Sequence, residues 1–393
     1  MERHLYFFTA TFPYGYRESF IEGEIGYLAK YFPKITIIPL FGNGVPTREV
    51  PVNCQVLRPV ITKRIYQYVK GVWGWRTLKT FVSDFFQSRV FFDLKRMREW
   101  FVAYILTNNL LHSERLDMLR KEIGDNDIMY FYWGKGASFL PPFLTDIKAK
   151  KIVRFHGEWD LWEESSGNYA PIRKLVTESI DLAVFISEKG ENYFKKRYST
   201  CKTAVCRLGT ADKGISAKSD DGVFRLLSCS SVIPLKRVHL IYEALQKIDD
   251  MEIEWTHIGD GIDFEDLMLR VRETKPNVKI NLLGRLPNQK VLNYYVHNKI
   301  DAFINVSTNE GIPVAMMEAI SFNVPIIGTN VGGTSEIVKD LTGLLLSPNP
   351  TSVEIATALH TIRLKSLSPR SFWKEKFCAE VNYTNLTHLF KEM

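Results

Sequence analysis

The chain lacks any apolar run close to the ~18 residues a membrane-crossing helix needs, and its longest candidates, such as Phe101 to Leu106, are the size of core segments. No transmembrane anchor is expected. The N-terminus lacks the small-residue cleavage site of a secretory leader, so Leu5 to Ala10 reads as a first strand. Paired cysteines are missing too: Cys54, Cys201, Cys206, Cys229 and Cys378 are odd in number and scattered. That argues against zinc ligands or a disulfide framework and fits a reducing, cytoplasmic setting. Internal repeats and low-complexity tracts are absent, which sets solenoids and disordered chains aside.

What remains is 393 residues, 45% apolar and 24% charged, the balance of a soluble globular protein long enough for two domains. Short apolar runs alternate with amphipathic segments, the pattern of parallel sheets covered by helices. In the first half the runs are Leu5 to Ala10, Ile35 to Leu40, Ile128 to Tyr132, Ile152 to Phe155, Leu182 to Ile186 and Thr203 to Leu208. The second series is Phe224 to Ser228, Ile253 to Ile258, Val278 to Leu283, Ala302 to Val306, Pro325 to Ile327 and Leu344 to Leu346. Between them Gly209 to Gly222 is small, polar and without periodicity, as a linker is. The expected fold class is α/β, with doubly wound domains at 1–210 and 223–370 around a linker at 211–222. The stretch 371–393, apolar at helical spacing, is expected to be a terminal helix packing on the first domain.

The net charge of +7 is unevenly placed. From Arg58 to Glu99 there are ten Lys or Arg against three acids, Asp84, Asp93 and Glu99, and the stretch 58–100 is interleaved with aromatics such as Tyr66, Trp73, Phe86, Phe92 and Trp100. It can be a face for anionic lipid headgroups, or a solvated helical face with core aromatics behind it. No nucleic-acid reading motif accompanies it, so nucleic acid is not an expected partner.

The run with most chemistry in it begins just after the strand Ala302 to Val306 and reads Ser307-Thr308-Asn309-Glu310-Gly311-Ile312-Pro313-Val314-Ala315-Met316-Met317-Glu318-Ala319. Ligands of open α/β sheets bind at such strand ends, and Pro313 suits the first turn of a helix. The N–H groups of a helix start can hold a diphosphate, which makes Gly311, Ile312, Pro313 and Val314 candidate phosphate contacts. Glu310, in the loop, can reach sugar hydroxyls, while Glu318, two turns into the helix, can accept from a ribose diol. Acids near a helix start are also ordinary dipole partners.

With Pro325-Ile326-Ile327-Gly328-Thr329, Val331-Gly332-Gly333-Thr334-Ser335-Glu336 and Asp340-Leu341-Thr342-Gly343-Leu344, this run resembles the family 4 retaining glycosyltransferases of GT-B fold. Ile233-Pro234-Leu235-Lys236-Arg237-Val238 is similar to the family's donor-phosphate segment and Gly259-Asp260-Gly261 to its nucleotide loop. More loosely, Phe12 to Phe20 looks like its acceptor-side loop and Arg154 to Asp160 like its active-site histidine segment. The resemblance implies two Rossmann-like domains facing across a cleft and a nucleotide-sugar donor. It implies His156 near the donor sugar, Lys236 and Glu310 at the reacting centre, and Arg237, Gly259, Gly261 and Glu318 around the nucleotide. The family would have Arg where this chain has Ser231, a gap that Arg237 can fill. Gly259 and Gly261 would allow close backbone approach to the base, though a plain turn explains them equally.

The implied acceptor is a glycan or lipid-linked glycan of surface polysaccharide assembly, met at the inner face of a membrane. Neither cofactor nor metal is expected. Asp125-Asn126-Asp127 spells a metal-binding D-x-D, but it precedes the strand Ile128 to Tyr132 and so lies at the wrong edge of the sheet. Since Ser231 departs from the family, a module that binds nucleotide sugar or glycan without catalysing transfer is the other reading.

Overall fold

Short segments apolar on both faces are satisfied only in a sheet covered on both sides. In the computed structural model, which describes residues 3–15, 18, 20–61, 74–157 and 160–393, every residue of Ile128–Phe131, Leu182–Phe185, Ala302–Asn305 and Ile326–Thr329 is buried. Seven strands make the first sheet: β1 (His4–Thr9), β2 (Lys34–Pro39), β3 (Cys54–Val56), β4 (Ile128–Phe131), β5 (Lys150–Phe155), β6 (Leu182–Phe185) and β7 (Lys202–Val205). Six make the second: β8 (Phe224–Cys229), β9 (Ile253–Ile258), β10 (Val278–Leu282), β11 (Ala302–Asn305), β12 (Ile326–Thr329) and β13 (Gly343–Leu346).

Their orders are β3-β2-β1-β4-β5-β6-β7 and β10-β9-β8-β11-β12-β13. The ladders are parallel, with Phe7 opposite Ile37 on one side and Tyr130 on the other. Strand order reverses between β1 and β4 in one sheet and between β8 and β11 in the other. At such switch points the loops leaving the C-terminal strand ends diverge and open a crevice for ligands. Both sheets are therefore doubly wound and Rossmann-like. The helices that bear on function are α1 (Ile21–Tyr31), α2 (Trp75–Gln87), α3 (Leu94–Leu111), α4 (Asn288–His297), α5 (Val314–Ser321), α6 (Pro369–Lys376) and α7 (Ala379–Lys391).

The chain divides into two compact units, Met1–Cys206 with Tyr383–Met393, and Arg207–Asn382. The polar segment 209–222, read as a linker, is bound along the second unit. Asp212 pairs with Arg370 at 2.6 Å, Ser216 N–H donates to the Phe322 carbonyl and Ser219 N–H to Asp301. The stretch 371–393 is two helical segments instead of one. The break at Phe377–Cys378 lets the Thr210 N–H reach the Phe377 carbonyl and the Ala379 N–H reach the Thr210 carbonyl. Beyond it the end of α7 lies on the first unit, with Phe390 against Tyr130 and Tyr383 against Tyr27.

One fully buried ion pair ties α1 to the first sheet. Arg154 on β5 meets Glu24 on α1, both without exposure. Tyr130 donates to Glu24 at 2.9 Å and Arg154 donates to the Cys206 carbonyl at 2.9 Å. Removing one partner strands the other charge in a medium that cannot solvate it. Arg154→Met is expected to destabilise the first unit by about 3–5 kcal/mol, and adding Glu24→Leu should recover a large part of that loss. Urea denaturation of both variants beside the parent checks this.

Candidate functional site

β11 stops at Asn305, and the loop after it returns as α5. Within that loop Glu310 is nearly buried. Its Oε1 accepts from Lys236 Nζ at 2.5 Å, Asn305 Nδ2 at 3.0 Å and Ser307 Oγ at 2.6 Å. The Ser307 hydroxyl also lies 2.6 Å from Asn305 Oδ1, and having one proton it serves one acceptor at a time. None of these bonds uses Glu310 Oε2, and the Lys236 ammonium spends one of its three protons on the pair. A carboxylate oxygen and a cation are thus held side by side at the switch point of the second sheet.

The loop that carries them is fixed from below by two glycines of the Val331 to Glu336 segment. A Cβ on Gly332, whose φ is +51°, would run into the Glu310 carbonyl, and one on Gly333 into the Gly311 carbonyl. Gly333 N–H instead donates to that Gly311 carbonyl at 2.8 Å. Pro313 stands at the cap of α5, one residue before the first helical turn where it was expected, and no side chain caps the helix start. The first-turn N–H groups beside Gly311, Ile312 and Val314 therefore keep the anion-holding character of a helix N-terminus.

Arg237 departs from its expected role. In the left-handed backbone conformation, its guanidinium donates to the carbonyls of Val306, Ser307 and Pro348 and to Asn349. Four of its five N–H groups are used in tying the β8 loop to the loops after β11 and β13, so it braces the site and does not replace the missing arginine. Ser231 is exposed.

Gly259 and Gly261 also differ from expectation, because their close approach is to protein. A Cβ on Gly259 would strike the Ser230 carbonyl, and one on Gly261 the Val232 carbonyl. The β9 loop thereby lies against the β8 loop, with the Val232 N–H on the Asp260 carbonyl at 3.0 Å.

Glu318 lies in the second turn of α5, buried to 7% exposure, with one donor, Asn288 Nδ2 at the start of α4, at 2.7 Å. Burial outweighs that bond and pushes the carboxyl up from 4.5 to about 7. It sits beside Cys229 at the end of β8, whose thiol burial, and secondarily Glu318, push up to about 12. A buried carboxylate with a single donor can take further hydroxyl donors, the need a ribose diol would meet.

In the first unit His156 follows β5 at the C-terminal edge. Its ring packs against Trp133 and Tyr132 at 4.3 and 4.7 Å between centroids. Burial holds its pKa below the ordinary value against the raising effect of Asp160. Neither ring nitrogen has a hydrogen-bond partner among the described residues, and Nδ1 stays 3.5 Å from Asp160 Oδ2. Asp160 instead accepts the backbone N–H groups of Gly134, His156 and Gly157, fixing the strand ends around the imidazole. Glu158 and Trp159 of this segment, and Tyr16, Arg17 and Ser19 of the expected acceptor-side loop, lie outside the described residues. Asp127 of the D-x-D accepts from His4 N–H and Gly124 N–H in the turn before β4, away from the ligand-facing edge.

Asn305 and Asn288, which hold the two glutamates, carry no sequence signal: each is an ordinary asparagine until the fold brings it to a carboxylate. Asp160 was inside the histidine segment, but its capping role depends on Gly134, 26 residues earlier.

Residues 213–373 match the family described as glycosyl transferases group 1. An uncharacterized glycosyltransferase of Methanocaldococcus jannaschii is 26% identical over 249 residues, which are 63% of this chain and 66% of that protein. Two solved structures superpose over the whole of both chains: Anabaena HepE in complex with UDP and glucose, at 12% identity and TM-score 0.66, and the apo form of the lipopolysaccharide outer core galactosyltransferase WaaB, at 14% and 0.65. At such identities the likeness shows the fold, which is GT-B.

The raised carboxyl of Glu318 has a stability consequence. Between about 4.5, its unfolded value, and about 7 the folded protein holds a proton that the unfolded chain has released, so stability falls as pH rises through that window. Glu318→Gln is expected to melt higher than the parent at pH 8, by an amount worth up to about 3 kcal/mol, and to match it at pH 4.5. Thermal melts at both pH values check the sign.

Proposed function

We propose that this chain, a member of the glycosyl transferases group 1 through residues 213–373, moves a sugar from a nucleotide-sugar donor to a glycan or lipid-linked glycan acceptor. The observation that carries the reading is the Lys236–Glu310 pair at the switch point beside an uncapped helix start, with Glu318 two turns further on. The diphosphate fits against Lys236 and the first turn of α5, the sugar hydroxyls on Glu310 Oε2, and the ribose diol on Glu318. HepE, crystallised with UDP and glucose, supports a uridine donor.

Transfer with retention requires no protein nucleophile. A bond forms between the acceptor hydroxyl oxygen and the anomeric carbon on the face the nucleotide leaves, the carbon–oxygen bond to the diphosphate breaks, and the hydroxyl proton passes to the departing phosphate. Lys236 stabilises charge on the leaving group and Glu310 orients the sugar. His156, whose ring nitrogens have no hydrogen-bond partner among the described residues, is the residue of the first unit that this reading assigns to substrate contact. Neither metal nor cofactor takes part.

The acceptor reading rests on the first unit and on WaaB, a lipopolysaccharide galactosyltransferase. No described helix is long and apolar enough to cross a membrane. However, α2, the 3-10 turn Val90–Phe92 and the start of α3 turn outward Trp75, Phe86, Phe92 and Leu94, at 79, 65, 75 and 83% exposure, together with Arg76, Lys79, Arg89, Lys95 and Arg98. The three acids of the stretch are half-buried and engaged: Asp84 bonds to Tyr169, Asp93 caps α3, and Glu99 pairs with Lys135. Lys63, Arg64, Tyr66, Tyr68, Lys70 and Trp73 lie outside the described residues. The face is thus cationic and apolar at once, as suits an anionic bilayer at the inner face of the cytoplasmic membrane.

The second reading, a module that binds without catalysing, draws on Ser231 and on the engagement of Arg237. Calorimetric titration of the full chain with uridine, guanosine and adenosine diphosphate sugars, without metal, separates donor binding from its absence. One donor should bind at least tenfold more tightly than the rest. Glu318→Ala should lose it, and affinity should rise with pH through about 7 as Glu318 ionises. Release of nucleoside diphosphate with acceptor present, unchanged by EDTA, then decides for catalysis, and binding without turnover decides for the module. In vesicle flotation the parent should rise with anionic vesicles, and Phe92→Asp with Leu94→Asp should cut the bound fraction about tenfold.

A further inference from the structure

Beneath the outward face of α3 lies a cavity of about 320 Å³, within the range of roughly 300–1,000 Å³ of small-molecule sites. It sits at the β1/β4 switch point of the first sheet, between the ends of β1, β2 and β4 and the inner side of α3, and is walled by Phe8, Phe41, Phe131, Phe139, Ala103 and Leu106. Its few polar side chains are already engaged. Thr9 donates to the Phe12 carbonyl, Tyr132 to Glu24, Trp133 to Glu18, and Lys135 to Glu99 and Ser166. An occupant therefore finds apolar surface and few unmet polar groups, conditions that favour hydrocarbon and give sugars and phosphates little to bind.

Two features relate the cavity to the proposed acceptor. Val102 both lines the cavity and is exposed on α3, next to the exposed Phe101, so one side chain joins the cavity wall to the apolar, cationic face. Trp133 also lines the cavity, and its ring packs on His156. We propose that this cavity is the subsite for the hydrocarbon nearest the head group of a lipid-linked acceptor, drawn from the membrane past Val102 and held so that the head group emerges toward His156. The proposal rests on the reading of a lipid-linked acceptor and adds where its chain goes.

Farnesyl phosphate, below its micellar concentration, is the probe, titrated into the full chain and followed by tryptophan fluorescence. The parent should bind it, while Leu106→Trp, which fills the cavity, and Val102→Asp, which puts a charge at its mouth, should each weaken binding at least tenfold. The doubly substituted Phe92→Asp, Leu94→Asp chain should bind the probe as the parent does, because those residues stand on the face and not in the cavity. Unchanged binding in both cavity variants, with their melts unaltered, or no binding by the parent, overturns the proposal. Flotation separates it from membrane docking: Leu106→Trp should still float with anionic vesicles. A parent that binds the probe but does not float would overturn the docking reading and with it entry from the membrane past Val102, leaving the cavity as a hydrocarbon subsite alone.

Discussion

The ion pair between Lys236 and Glu310 is the contact on which the geometry of the second unit's ligand edge depends. Its two members come from loops leaving β8 and β11, the strands on either side of the topological reversal, and such loops diverge by construction. The pair pulls them together across that gap, while Arg237, one residue on, repeats the tie through the Val306 and Ser307 carbonyls. Gly332 and Gly333 admit the next loop only because they lack side chains. Four loops thus meet within a few residues, and the cost of desolvating a lysine and a glutamate is offset by the hydrogen bonds converging on one carboxylate oxygen.

The two glutamates, so alike in sequence, stand in opposite environments. Both are buried, but Glu310 has Lys236, Asn305 and, by turns, Ser307 on one oxygen, whereas Glu318 has one donor among the described residues. A carboxylate held through one oxygen can offer the other to a ligand without reorganising. One left short of donors gains from a ligand that supplies them, and its raised pKa follows from the same deficit. Division of labour along a single loop and helix comes from what the neighbouring elements bring to each residue.

The strands were legible because parallel sheets bury both faces, so apolar runs mark them without ambiguity of period. Ile253 to Ile258 agrees at both ends, and the other predicted runs agree within two or three residues. β3 was missed because Cys-Gln-Val is three residues at a sheet edge, too short for any pattern. The segment 209–222 looked like a linker because it is polar, yet its polar groups are what bind it to the second unit. Glu310 and Glu318 became candidates because their run follows a predicted strand, and Lys236 because its segment resembles the family's donor-phosphate segment. Local sequence could not show that the Arg237 guanidinium is consumed by carbonyls, nor that Gly259 and Gly261 make room for Ser230 and Val232, since each fact depends on a second strand loop.

The same limit governs the basic, aromatic stretch of the first unit. Ten cations against three acids is compatible with a solvated helix or with a membrane face, and composition cannot choose between them. The fold separates the residues: acids go to Tyr169, the α3 cap and Lys135, Arg96 turns to the Gly167 and Ser88 carbonyls, and large apolar side chains remain outside. A solvated face would gain from exposed acids that balance its charge and lose from exposed phenylalanines. Here the reverse sorting has occurred, and each exposed ring would gain about 1.5–3 kcal/mol if fully buried, against about 1 kcal/mol for each cation near an anionic surface. On the proposed membrane reading, burial of the rings would therefore contribute more per residue than charge attraction, and salt that screens the lysines and arginines would weaken the contact only in part.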